Sequence, residues 1–139
     1  MLMKKMIFAA VALAGLLASC NNMTATYKTT LSGVNEVPAV AGTGMGDVTA
    51  TLDMSTQVLT VSGTYMGLTG EAKAGHIHGP AMAGTNAGVL FPLTVKDGMI
   101  TGTPKLTTAQ IDDLAAGKFY VNVHTATNPG GEIRGQLGK

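Results

Sequence analysis

Ala74-Gly75-His76-Ile77-His78-Gly79-Pro80 carries two of the three histidines of this 139-residue chain, two positions apart. The third closes the alternation Phe119-Tyr120-Val121-Asn122-Val123-His124. Side chains two apart in a strand leave from the same face. His76 and His78 therefore point together, and Ile77 points the other way, into a core. In the second stretch Phe119, Val121 and Val123 share one face, while Tyr120, Asn122 and His124 share the other. Polar groups are thus gathered on one surface of two otherwise apolar strands, which marks that surface as the place for a site.

Working outward, the same two-residue period recurs. Tyr27, Thr29 and Leu31 alternate before Ser32-Gly33-Val34-Asn35-Glu36-Val37-Pro38 turns the chain away. Val48, Ala50 and Leu52 pair with Leu59, Val61, Gly63 and Tyr65 as a hairpin through Met54-Ser55-Thr56. Past Pro80 lies a small-residue loop, Ala81 to Gly88, then the apolar run Val89-Leu90-Phe91, where Pro92 signals an edge or a bulge. Asp97-Gly98 reads as a tight turn between Leu93-Thr94-Val95 and Met99-Ile100-Thr101-Gly102. One short helix interrupts the strands. Thr107 with Gln110 forms its capping box, Ile111, Leu114 and Ala115 its apolar face, and Gly117 its end. Thr127-Asn128-Pro129-Gly130-Gly131 then returns the chain to a last strand with Ile133, Gly135 and Leu137 inward and Glu132, Arg134 and Gln136 on the polar face. Seven or eight short antiparallel strands with one short helix predict an all-β fold, a Greek-key β-sandwich or flattened barrel.

The first residues read as an address. Lys4 and Lys5 precede the apolar run Met6 to Leu17, which is short for a membrane span. Leu17-Ala18-Ser19-Cys20 resembles the lipobox of bacterial lipoproteins, which implies cleavage before Cys20 and lipid on its thiol and new amino group. The expected division is a signal peptide over 1–19, a lipidated tether over 20–26 and one domain over 27–139. That places the protein in the cell envelope, anchored to the membrane through Cys20. Asn21, rather than aspartate, after the cysteine points to the outer membrane of a Gram-negative cell, facing the periplasm or the cell surface.

Losing Lys4 and Lys5 takes nine basic residues to seven against eight acidic, a formal charge of −1. With no basic run, a nucleic-acid partner is excluded. Cys20 is the one cysteine, so no intramolecular disulfide is expected and the domain must hold by burial. Tryptophan is absent. The core is expected from Val, Leu, Ile, Ala and Met.

Four stretches together resemble the CHRD domain: Leu31 to Pro38, Gly75 to Pro80, Tyr120 to Thr125, and Pro129 to Gln136. That family is named after chordin, an animal extracellular antagonist of bone morphogenetic proteins, and has many bacterial secreted members. The resemblance spans about Tyr27 to Leu137 and implies an all-β extracellular module. It does not imply growth-factor binding, which in chordin belongs to cysteine-rich modules absent here. A second resemblance concerns the site alone. Copper-zinc superoxide dismutases use a His-x-His pair, a late histidine and a C-terminal arginine, which His76, His78, His124 and Arg134 would match. The zinc-loop ligands and the disulfide are missing, so the enzyme activity is not carried over.

Three neutral imidazoles suit Cu²⁺, Zn²⁺ or Ni²⁺, and three protein ligands leave a position open. Met82, just after His78, offers a thioether that would favour Cu⁺. Asn122, Glu132 and Arg134 form the polar surroundings: Glu132 is a candidate acceptor for an imidazole N–H, and Glu132 with Arg134 on one strand face reads as an ion pair rather than an anion guide. Two readings stand. In one, His76, His78 and His124 bind a transition metal, copper before zinc. In the other they belong to a hydrogen-bonded network that specifies the fold, and the domain is a module contacting an envelope protein or polysaccharide. Hydrolysis has no support: Ser32, Ser55 and Ser62 lack a nucleophile elbow, and Asp112-Asp113 lies on the helix as a solvated face. No glycine loop of phosphate-binding type is present.

Overall fold

A computed structural model describes residues 23–139. Lys4, Lys5, the apolar run and Cys20 lie outside the described residues. Eight strands form: β1 (Thr24–Ser32), β2 (Met45–Asp53), β3 (Leu59–Met66), β4 (Ala72–His78), β5 (Val89–Lys96), β6 (Met99–Gly102), β7 (Tyr120–Thr125) and β8 (Ile133–Gln136), with one helix, α1 (Thr108–Ala115). All pairings are antiparallel. The order β1-β2-β3-β6-β5-β4-β7-β8 closes on itself, with Ser32 opposite Arg134 and Lys28 bridging Gly138. Of the two architectures expected, the closed barrel is the one adopted. Closure removes the sheet edges that a sandwich would have to protect.

Alternation decides the wall. In β2, Gly46, Val48, Ala50 and Leu52 are buried while Met45, Asp47 and Thr49 are exposed. The interior is filled by Tyr27, Leu31, Leu52, Leu59, Ile77, Ile100, Phe119, Val121, Val123, Ile133 and Leu137 among others. Among the described residues methionine, expected in this core, does not join it. α1 follows the sequence reading closely. Thr107 Oγ1 accepts from the Gln110 N–H at 3.2 Å, and Gln110 Oε1 accepts from the Thr107 N–H at 2.9 Å. Gly117, at φ +73°, ends the helix: Lys118 N–H donates to Asp113 O and Gly117 N–H to Leu114 O, both at 3.0 Å. Leu114 is buried in the core, with Ile111 packed against it.

Three details depart from the expectation. β1 begins at Thr24, inside the stretch assigned to the tether, because Thr24, Ala25 and Thr26 pair with Asp53, Leu52 and Thr51. Two of those three residues are outward threonines, which carry no apolar signal. The runs on either side of Pro92 form a single strand, β5. Its pairing with β6 covers only Thr94 to Lys96, so the missing N–H of Pro92 falls beyond the ladder. A register shift also lies between Ile77 and His78, against β5. Third, the polar face of β7 and β8 is not open: Tyr120, Asn122, Glu132 and Arg134 are each 2% exposed. Among the described residues no helix is long and apolar enough to cross a membrane.

Candidate metal centre

The Greek-key crossovers bring β4 between β5 and β7, and this makes His76, His78 and His124 neighbours. On the outer face the register pairs His78 with Tyr120, His76 with Asn122 and Ala74 with His124. β8 continues two of these rows, placing Gln136 beside Tyr120 and Arg134 beside Asn122. The methyl of Ala74 leaves the His124 ring free to lean across to His76. His76 Nδ1 then stands 2.9 Å from His124 Nε2. One nitrogen from each of the three rings lies within 4.8 Å of the others.

Two of the rings have their tautomer set by the backbone. The His78 Nδ1–H donates to Ala87 O and the His124 Nδ1–H to Pro129 O, each at 2.9 Å. A carbonyl can only accept, so both Nδ1 atoms carry the proton and both Nε2 atoms of the neutral rings present lone pairs. Those lone pairs converge on Asn122, whose Oδ1 is 2.9 Å from each Nε2. Donating the far N–H to a carbonyl is how metal-binding histidines are commonly oriented. At a metal–nitrogen distance of about 2.0–2.1 Å, two nitrogens 2.9 Å apart subtend close to a right angle.

Electrostatics favour neutral rings at His76 and His78. Burial lowers the pKa of His76, and the neighbouring His124 and His78 lower it further. Burial lowers His78 too; its bonds to Ala87 and Asn122 oppose this, while His124 and Arg134 add to it. Behind Asn122 lies Glu36, buried, with Oε1 lacking a hydrogen-bond partner. Burial pushes its carboxyl up, against Arg134 and the Asn122 amide, which pull it down. Gly131, at φ +123°, makes this packing possible, since a Cβ there would collide with Glu36 Oε1 and Asn122 Nδ2.

The surroundings differ from the sequence reading in their partners. Glu132 meets no histidine and makes no ion pair with Arg134. Its carboxylate accepts from the Thr69 N–H and hydroxyl, both at 2.7 Å, from the Thr125 hydroxyl at 2.6 Å and from Asn128 Nδ2 at 3.1 Å. Arg134 instead donates to Asn86 Oδ1 at 2.9 Å and Thr85 O at 2.6 Å, with its guanidinium 3.5 Å from the centre of the Tyr120 ring. His78 stacks on the same ring, nearly parallel at 4.7 Å. Met82 is 58% exposed on the loop. Ala87, Pro129 and Glu36 were not identified from sequence. The first two act through backbone carbonyls, which have no residue signature.

The Gly79–Gly88 loop is what covers this face. Ala87 accepts from His78 and exchanges bonds with the Tyr120 hydroxyl, Thr85 and Asn86 hold Arg134, and Ala81 O accepts from Gln136 Nε2 at 2.7 Å. His78 is buried beneath it, whereas His76 and His124 are only half-buried, leaving the cluster reachable from one side. No curated protein and no solved structure matches the chain. A family model, that of the CHRD domain, does match, over residues 27–137. The match takes in β2 to β8, α1 and all three histidines, and the chain belongs to the CHRD domain family.

Proposed function

We propose that this protein is a lipid-anchored CHRD domain of the cell envelope that holds a transition metal, copper before zinc, through His76 Nδ1, His78 Nε2 and His124 Nε2. The observation that carries the reading is the convergence of three ring nitrogens, two with their lone pairs aimed inward by Nδ1–H bonds to Ala87 O and Pro129 O. Copper(II) heads the affinity order for nitrogen ligands, and imidazole suits it. The half-buried side of His76 and His124 gives the ion a way in. Asn122 Oδ1, beside both Nε2 atoms, is placed to accept from a metal-bound water or to approach the ion itself.

Metal analysis of protein purified without a histidine tag tests this. After reconstitution with Cu²⁺, one equivalent per chain is expected, and His76→Ala is expected to lose most of it. Ligation needs neutral rings. Since His76 and His78 titrate below the ordinary histidine value, uptake should be complete at neutral pH. It should fall as pH drops through those lowered values, below roughly 6.5. Absence of bound metal after reconstitution would overturn the reading.

A second reading has its own observation. If the Asn122 amide is turned over, its Nδ2 takes the place 2.9 Å from both Nε2 atoms and its two N–H groups satisfy them without a metal. The cluster is then a structural network, and the domain an interaction module for an envelope protein or polysaccharide. The position of Glu36 argues against the turn, because it would set Asn122 Oδ1 beside the carboxyl instead of the amide nitrogen.

The anchor is tested separately. Cys20→Ala is expected to abolish incorporation of labelled palmitate and leave the chain unprocessed or soluble, with its β circular dichroism unchanged. A Cys20→Ala chain that still takes up palmitate and fractionates with membranes would refute the anchor.

A further inference from the structure

All six methionines among the described residues are exposed: Met23, Met45, Met54, Met66, Met82 and Met99, at 43–68% of their surface. Methionine is ordinarily among the more buried residues. Three of the six collect at one place on the barrel wall. Met45 on β2 and Met66 on β3 are direct register partners, and Met99 on β6 stands opposite Thr64. Thr64 and Met66 leave the same face of β3, so Met99 is the diagonal neighbour of Met66. Directly opposed Cβ atoms lie about 5 Å apart and diagonal ones about 7–8 Å. Unbranched thioether side chains span both gaps. Met45 and Met66 also line one cleft of about 360 Å³ together with Asp47 and Thr64.

The setting makes the cluster chemically distinct. Every other outward position of β1, β2 and β3 is threonine, serine, aspartate or lysine. A patch meant only to be apolar has no need of sulfur, yet thioethers are what this wall presents. We infer that Met45, Met66 and Met99 form a binding site for a soft monovalent cation, Cu(I), with the Asp47 carboxylate on the same face balancing its charge. Neutral thioethers select Cu(I) over harder divalent ions. The ion binds as Cu(I), with no electron transferred.

This site is separate from the histidines. Met45, Ser32, Arg134, Asn122 and His76 follow one another across the register of neighbouring strands. Four strand spacings of about 4.8 Å put some 19 Å of wall between Met45 and His76. The thioether site therefore stands or falls independently of the imidazole reading.

The test uses Ag(I), a soft monovalent ion inert to redox chemistry, titrated into the full chain carrying ¹³C-methyl methionine. The methyl resonances of Met45, Met66 and Met99 are expected to move together and saturate at one Ag(I) per chain, with Met23, Met54 and Met82 unmoved. The same response is expected in His124→Ala, where the histidine cluster is broken. The combined Met45→Leu, Met66→Leu and Met99→Leu variant keeps side-chain volume and should weaken Ag(I) binding in the His124→Ala background by about tenfold or more. Unmoved Met45, Met66 and Met99 resonances, an equal shift of Met23, Met54 and Met82, or undiminished binding by the leucine variant would each overturn the inference.

Discussion

Copper at a hundredfold excess over its dissociation constant is expected to raise the melting temperature of the wild-type domain by on the order of 10 °C. Binding to the folded state alone adds about 2.7 kcal/mol at that excess, and a domain of this size converts each kcal/mol into several degrees. His76 lies on β4 and His124 on β7, 48 residues apart. The assembled site therefore does not exist in the unfolded chain, and nearly all of the binding energy appears as stability. His124→Ala should remove most of the gain. The network reading expects a different pair of melts. There, His124→Ala costs the metal-free protein about 1–3 kcal/mol through the unpartnered Pro129 and Asn122 groups, and copper changes little in either protein. Wild type and His124→Ala, each melted with and without Cu²⁺ or Zn²⁺, separate the two. A wild-type melt indifferent to every metal tried would sink the metal reading.

Glu132→Ala is expected to destabilise the domain by about 3–5 kcal/mol, a large share of the 5–15 kcal/mol typical of a folded domain. The carboxylate is 2% exposed and accepts four hydrogen bonds. Thr69 belongs to the β3–β4 crossover, Thr125 ends β7, and Asn128 lies in the turn between β7 and β8. The side chain thus extends the β4–β7 pairing, tying the crossover before β4 to the end of β7 and the turn that follows it. Removing it strands the buried Thr125 hydroxyl, which costs more than the lost bond alone, and takes the shared acceptor from the part-buried Thr69 and Asn128 donors. Urea melts at neutral pH measure this, and a loss under 1 kcal/mol would contradict it. The charge adds a pH arm. Burial raises the Glu132 carboxyl, but the donors from Thr125, Thr69 and Asn128 outweigh it and hold the group below its ordinary value. The folded state thus binds this proton less readily than the unfolded chain. The corresponding stability is present above the ordinary carboxyl range and is lost as pH falls through the lowered folded value. Glu132→Gln should accordingly lie further below wild type at pH 7 than in acid. Since Glu132 touches no histidine, metal uptake by folded Glu132→Gln should persist.

Local chemistry in the sequence determined a good deal. The spacing of His76 and His78 fixed their common face, because side chains in a strand alternate whatever surrounds them. Thr107 and Gln110 fixed the start of α1 and Gly117 its end, since caps are satisfied within a few residues. Asp97-Gly98 fixed the β5–β6 turn; both residues adopt positive φ, 50° and 77°. The inward alternation of Val48, Ala50 and Leu52 named the core side of the wall. Each of these depends on neighbours along the chain, and each is visible in a short window.

What the tertiary structure decided depends on neighbours across the barrel. Alternation shows which face a residue takes but not which strand lies beside it. Only the crossover that seats β4 next to β7 turns three histidines into one cluster. The Gly79–Gly88 loop has no period, so nothing in its sequence announced that it would bury the polar face and supply Ala87 O. For the same reason Glu132 and Arg134, two apart on one strand, were read as partners. The loop draws Arg134 to Thr85 and Asn86, and the crossover draws Glu132 to Thr69. The methionines show the limit from the opposite side. Composition assigned them to the core, and the register of β2, β3 and β6 set three of them side by side in solvent, because a strand position outward by parity stays outward whatever residue occupies it.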